Sequence, residues 1–195
     1  MRYLWAGFLH STPLGLSIRL ALLVLIWANA ARAGAVDDCN QVRDADRQLR
    51  GCTAYIRSRP DQPANVATAL FNRANIYARR GRYEMAFADY RRALELDPTN
   101  PLIPYNLGNA YLDSGQPSQA EEAFTQALTL DTSFAFAHLN RGVARERQGN
   151  VAGADEDFRR TLELDPTAEQ ARRHLTRLRT QCTANRATPA CAGIR

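Results

Sequence analysis

The chain has 195 residues, of which 45% are apolar and 23% charged, and its formal charge is +5. Those proportions fit one or two folded domains and exclude a wholly disordered chain, a collagen and a multi-span membrane protein. All 25 basic residues are arginine, which also removes Schiff-base chemistry and the phosphate-loop lysine.

Arg2 and Arg19, with no acid, precede an unbroken apolar run from Leu20 to Trp27. Small residues follow: Ala28, Ala30, Ala31, Ala33, Gly34 and Ala35. A basic start, an apolar stretch of about 7–15 residues and an Ala-x-Ala site define a secretory signal peptide. The expectation is a leader over residues 1–33, cut after Ala31-Arg32-Ala33; Ala28-Asn29-Ala30 and Ala33-Gly34-Ala35 also fit the site. The run is shorter than the ~20 apolar residues of a bilayer span. An uncleaved, inner-membrane anchor is the alternative. Cys39 follows Val36-Asp37-Asp38, not a lipid-attachment box. An arginine-only composition suggests a high-GC genome, and with this leader the expected setting is a bacterial periplasm or the medium.

Further along, three segments align without a gap at a step of 34. Ala74, Gly108 and Gly142 form one column, and Gly81, Gly115 and Gly149 a second. Ala86, Ala120 and Ala154 form a third, and Tyr90, Phe124 and Phe158 a fourth. Pro98 and Pro166 share the register, with Thr132 between them. Glycine suits the left-handed residue that ends a helix. Proline removes a donor and restricts the residue before it, so Asp-Pro ends another. Small residues facing an aromatic let two helices approach closely.

These columns resemble the tetratricopeptide repeat family, two antiparallel helices per 34 residues. The resemblance implies an all-α fold: a right-handed superhelical array of helix pairs with a C-terminal capping helix. The repeats would span 67–100, 101–134 and 135–168. Arg145, where the family has tyrosine, and Thr132, where it has proline, depart from the pattern. Phasing Pro60 on the proline column puts Cys39 and Cys52 on two columns whose side chains pack together. Residues 37–60 then read as a shortened, degenerate repeat whose packing pair is a disulfide. Four cysteines allow three pairings. The resemblance favours Cys39–Cys52 with Cys182–Cys191, and free thiols or a metal site stay open. Export makes disulfides plausible.

In the family the first helices of the repeats line a concave groove. The matching positions here are Phe71, Asn72, Asn75 and Arg79, then Leu102, Tyr105, Asn106, Asn109 and Asp113, then Phe136, Leu139, Asn140, Val143 and Arg147. Asparagine carries both donor and acceptor, so a ladder of Asn72, Asn106 and Asn140 could hold a peptide backbone while aromatics take side chains. The family's carboxylate clamp is only half present. Asn75 and Asn106 match it, but Phe71, Phe136 and Asn140 stand where it needs cations.

Residues 169–181 read as the capping helix, with Ala171, Leu175 and Leu178 inward. Arg172, Arg173, Arg177 and Arg179 are expected on a solvated outer face. Residues 182–195 form a tail. Asp155-Glu156-Asp157 read as acids favouring a helix start. His10, His138 and His174 are too scattered for a metal, and no Gly-x-Ser-x-Gly, Gly-x-Gly or Cys-x-x-Cys occurs. The expected protein has no catalytic residues, cofactor or metal. It binds another protein or an extended peptide, and touches membrane only through its N-terminal segment. A membrane-tethered structural or assembly subunit is the alternative. Residues 101–134 hold Asp113, Glu121, Glu122 and Asp131 with no base, so no contiguous basic patch for nucleic acid exists,.

Overall fold

The structure, a computed structural model, describes residues 13–41, 43–58, 62–184 and 191. The start of the expected leader, including Arg2, lies outside the described residues. So do Pro60, His10 and most of the tail beyond residue 184. The described residues form α1 (Pro13–Cys39), α2 (Ala45–Arg57), α3 (Pro63–Arg79), α4 (Tyr83–Leu96), α5 (Leu102–Asp113), α6 (Pro117–Leu130), α7 (Ala135–Arg147), α8 (Val151–Leu164) and α9 (Glu169–Ala184). No strand occurs among them. Each helix packs chiefly on its chain neighbours, and α1, α3, α5 and α7 also touch in succession. This is an all-α solenoid whose odd-numbered helices share one face.

Local chemistry sets each corner. Gly81, Gly115 and Gly149 have φ of 68°, 78° and 77°, a left-handed conformation that a Cβ makes costly. The next residue then bonds back across the helix end: Arg82 N–H to Tyr77 O, Gln116 N–H to Tyr111 O and Asn150 N–H to Arg145 O, at 2.8–2.9 Å. Gly115→Ala is expected to cost about 1–2 kcal/mol, read as a lower urea midpoint with unchanged slope. The opposite corners use Asp97, Asp131 and Asp165. Asp165 accepts from the Thr167 hydroxyl and N–H, at 2.7 and 2.9 Å. Asp131 does the same with Ser133. These bonds, the side-chain one foremost, hold both carboxyls below the ordinary aspartate range. The Asp131 turn needs no proline, which is why Thr132 is tolerated.

Within pairs, the aromatic column fills the space that small residues leave. Tyr90, Phe124 and Phe158 are buried. A Cβ on Gly108 would lie 2.6 Å from the Phe124 ring, and one on Gly142 2.7 Å from Phe158. Phe87 and Tyr111 stack at 4.3 Å between pairs.

Both disulfides form: Cys39–Cys52 and Cys182–Cys191. The first joins α1 to α2, where both cysteines pack with Tyr55 and Ala69, and Ala35 and Val36 lie against them. Gly51 makes this crossing possible, since a Cβ there would meet Asp38 Cβ at 2.5 Å and Cys39 N at 2.6 Å. The helix carrying Cys39 starts well before residue 37, and Arg32 donates to Ser58 O at 3.4 Å. Farther back, Leu23, Val24, Leu25, Ile26 and Trp27 are 59–80% exposed. Among the described residues no helix is long and apolar enough to cross a membrane.

Candidate peptide groove

The shared face of α3 and α5 holds a depression of about 310 Å³, lined by Asn75, Arg79, Tyr90, Asn106, Asn109 and Asp113. Asn75 Oδ1 accepts from the Tyr90 hydroxyl at 2.5 Å. Burial pushes the Tyr90 pKa up, against the opposing charge of Arg79, and keeps the phenol a donor. Its acceptor end being used, the Asn75 amide offers its N–H groups, which have no protein partner among the described residues.

The three ladder asparagines do three different things. Asn72 donates to Cys39 O at 3.4 Å, beside Gln48, which donates to the same oxygen at 3.1 Å. It therefore secures the end of α1. Asn106 donates to Leu102 O of its own helix at 2.8 Å, leaving Oδ1 open. Asn140 donates to Asn109 Oδ1 at 2.7 Å and to the Tyr105 hydroxyl at 3.3 Å, which leaves Asn109 with its N–H groups. Among the described residues Asn75, Asn106 and Asn109 thus keep open amide ends, and Asn72 and Asn140 keep Oδ1.

The aromatic positions also divide. Phe71 is half-buried against Tyr90, with centroids 6.1 Å apart. Tyr105 is wedged between Phe124 and Phe134, at 5.9 and 4.7 Å. Leu139 is buried in the core between α7, α8 and α9 rather than in the groove. Phe136, 63% exposed, and Leu102, 47% exposed, are the exposed large apolar residues of α7 and α5. Arg79, Asp113 and Arg147 are exposed, and Arg147 donates to Leu112 O at 2.7 Å.

Arg172, Arg173, Arg177 and Arg179 of the capping helix are all exposed, as their register predicts. Arg172 pairs with Glu169 at 2.7 Å. Arg177 instead reaches Glu146 of α7 at 2.7 Å, and His174 Nδ1 lies 2.8 Å from the same carboxylate.

A larger depression, about 510 Å³, lies elsewhere, against His138, Arg141, Asp157, Arg159 and Arg160. Its charges largely satisfy one another. Asp157, 1% exposed, accepts from Arg141 at 2.7 Å and Arg145 at 3.0 Å, with His138 Nδ1 at 3.3 Å. Burial acts to raise the Asp157 pKa, but the His138 and Arg141 hydrogen bonds and the arginine charges prevail and hold it low. Helix-dipole stabilisation is therefore not what this acid is for. Arg145 also pairs with Glu121 at 2.7 Å, so the arginine in the tyrosine column ties α6, α7 and α8 together. One such pair recurs two repeats earlier, where Arg73 makes a two-pronged contact with Asp89 at 2.7 and 2.8 Å. Sequence reasoning missed both, although Arg73 and Arg141 keep the same register as Pro98 and Pro166, and so do Asp89 and Asp157.

A family model described as TPR repeat matches residues 74–115, and one described as tetratricopeptide repeat matches residues 105–169. Among solved structures the chain is similar to the first TPR of Spaghetti (RPAP3) bound to HSP90 peptide SRMEEVD. Identity is 30% and the TM-score 0.59, over 62% of this chain and 95% of that one. It is also similar to the second TPR domain of human RPAP3 in complex with HSP70 peptide SGPTIEEVD. Identity there is 35% and the TM-score 0.58, over 60% of this chain and 97% of that one. MamA protein shares the fold at 18% identity and a TM-score of 0.68, over 86% of this chain and 87% of that one. No curated protein sequence matches the chain.

Proposed function

Because the chain belongs to the tetratricopeptide repeat family, we propose that it is an exported, non-enzymatic interaction module. It holds an extended segment of a partner protein in the groove of α3, α5 and α7. The observation that carries this reading is the set of open amide ends on Asn75, Asn106 and Asn109 beside exposed Leu102 and Phe136. An extended peptide has unpaired N–H and C=O groups at each residue, and amide side chains serve both. The peptide-bound relatives support a peptide as the occupant. Export is supported by the leader pattern and by two disulfides, which persist in oxidising compartments,.

Capture of the partner from cell-envelope extract is expected to fall about tenfold or more in an Asn106→Ala, Phe136→Ala variant, with the helical circular dichroism unchanged. Undiminished capture would place the site off the groove. The tethered reading draws on the continuity of α1, which carries Leu23 to Trp27 on the helix that Cys39 anchors. Carbonate extraction separates the two. A tethered chain stays in the pellet with Met1 intact, whereas an exported one is released with a new N-terminus near Gly34.

A further inference from the structure

We infer that the groove between α3 and α5 takes the main chain of an internal, uncharged segment of the partner and does not engage a C-terminal carboxylate. The inference rests on the groove reading above and adds the chemistry of the occupant. It sets this chain apart from the relatives whose bound peptides, SRMEEVD and SGPTIEEVD, are acidic.

Hydrogen-bond direction carries the first part. Asn75 and Asn106 stand at the two positions where this chain matches the carboxylate clamp, and an ionised carboxylate can only accept. Asn75 keeps its N–H groups, because the Tyr90 hydroxyl donates to its Oδ1. Asn106 is turned the other way. It donates to Leu102 O of its own helix, and its Oδ1 has no partner among the described residues. Asn109, nearly one turn further along α5, keeps its N–H groups because Asn140 donates to its Oδ1. The depression that these three side chains line therefore presents donors and an open acceptor together. A peptide unit, with one N–H and one C=O, matches that mixture. A carboxylate meets the Asn106 oxygen with no proton to give it.

Charge carries the second part. Arg79 and Asp113 line the same depression, one of each sign, so an incoming acid finds no net positive charge there,. The three positions where the clamp needs cations are committed otherwise. Phe71 packs against Tyr90, Asn140 donates to Asn109 and to the Tyr105 hydroxyl, and Phe136 is an exposed apolar ring. A neutral main chain lies beside Asp113 without the like-charge repulsion that a second carboxylate would bring.

The test uses the full, disulfide-bonded chain. A random decapeptide library displayed on phage between fixed flanks supplies internal segments. Labelled winners, and the peptide SRMEEVD as free acid and as C-terminal amide, are titrated by fluorescence anisotropy. Winners should not be enriched in acids, and their affinity should change less than about twofold between low and high salt. Asn106→Ala should weaken them about five- to tenfold, with the helical circular dichroism unchanged. SRMEEVD should not saturate at concentrations that saturate the winners. Acidic winners whose binding collapses in salt, or SRMEEVD binding that the amide loses, overturn the inference and leave the groove reading standing if Asn106→Ala weakens them. Winners indifferent to Asn106→Ala, or recovery of no winner, overturn both.

Discussion

Asp157→Ala is expected to be among the most damaging single changes in the chain, lowering stability by about 3–5 kcal/mol, the range for stranding one side of a buried ion pair. The carboxylate is almost fully enclosed and holds Arg141, Arg145 and His138. Without it two guanidinium groups, each less than a fifth exposed, lose their shared acid. Glu163→Ala provides the contrast. Glu163 and its partner Arg160 are both roughly half exposed, and such a surface pair contributes about 0.5 kcal/mol at most. Urea titration of both variants distinguishes the two effects, and equal losses would contradict the burial argument.

The same acid predicts a pH dependence. Its folded pKa is below the unfolded value of about 3.9, so the unfolded chain binds more protons through that window. Stability from Asp157 is therefore fully present above the unfolded value and is lost as pH falls through the folded one. The gap between wild type and Asp157→Ala should shrink as pH falls through that window,. The middle repeat suggests a companion experiment. At the positions of Arg73 and Asp89 it carries Leu107 and Ala123, both buried. Arg73→Leu with Asp89→Ala together should be near neutral, whereas Asp89→Ala alone should be costly, because only the single change leaves a charge without its partner.

The second large effect concerns α1 and α2. Replacing Cys39 and Cys52 by alanine is expected to cost about 3 kcal/mol on the chain-entropy account of a short loop. The two cysteines lie 13 positions apart and are buried. Because repeat arrays are stabilised by nearest-neighbour interfaces, the loss should fall on α1, α2 and the adjoining turn of α3. Hydrogen exchange should show α2 amides accelerated while those of α5 to α8 keep their protection. Uniform acceleration along the chain would mean that the array melts as one unit. Gly51→Ala should reproduce part of the effect with both cysteines present, since the added Cβ meets backbone rather than a movable side chain.

The repeating columns announced α3 to α8 because each column reports a contact made within one helix pair. Gly108 is small because Phe124 occupies its Cβ site, and Gly115 is glycine because φ there is 78°. Such requirements recur wherever the pair recurs. The Arg73–Asp89 pair was hidden because an arginine and an aspartate on amphipathic helices read as solvated until a third helix covers them. The asparagine ladder was misleading for a related reason. Asn72, Asn106 and Asn140 share a column, but their partners come from different neighbours: the end of α1, the preceding turn of α5, and Asn109 across the groove. Side-chain type repeats with the fold; the acceptor within reach does not.

The positions of the two disulfides have a further consequence. One lies in the first helix pair and the other joins the last helix to the residues after it. A helix pair at either end of such an array has one interface where an interior pair has two, so opening begins at the ends and proceeds inward. Covalent bonds at those two places restrain the fraying that would otherwise present unwound chain to proteases, while the interior repeats rely on packing alone. The oxidised chain should therefore survive proteolysis longer than the change in melting temperature on reduction would suggest. Its lifetime under proteolysis would be governed by its ends.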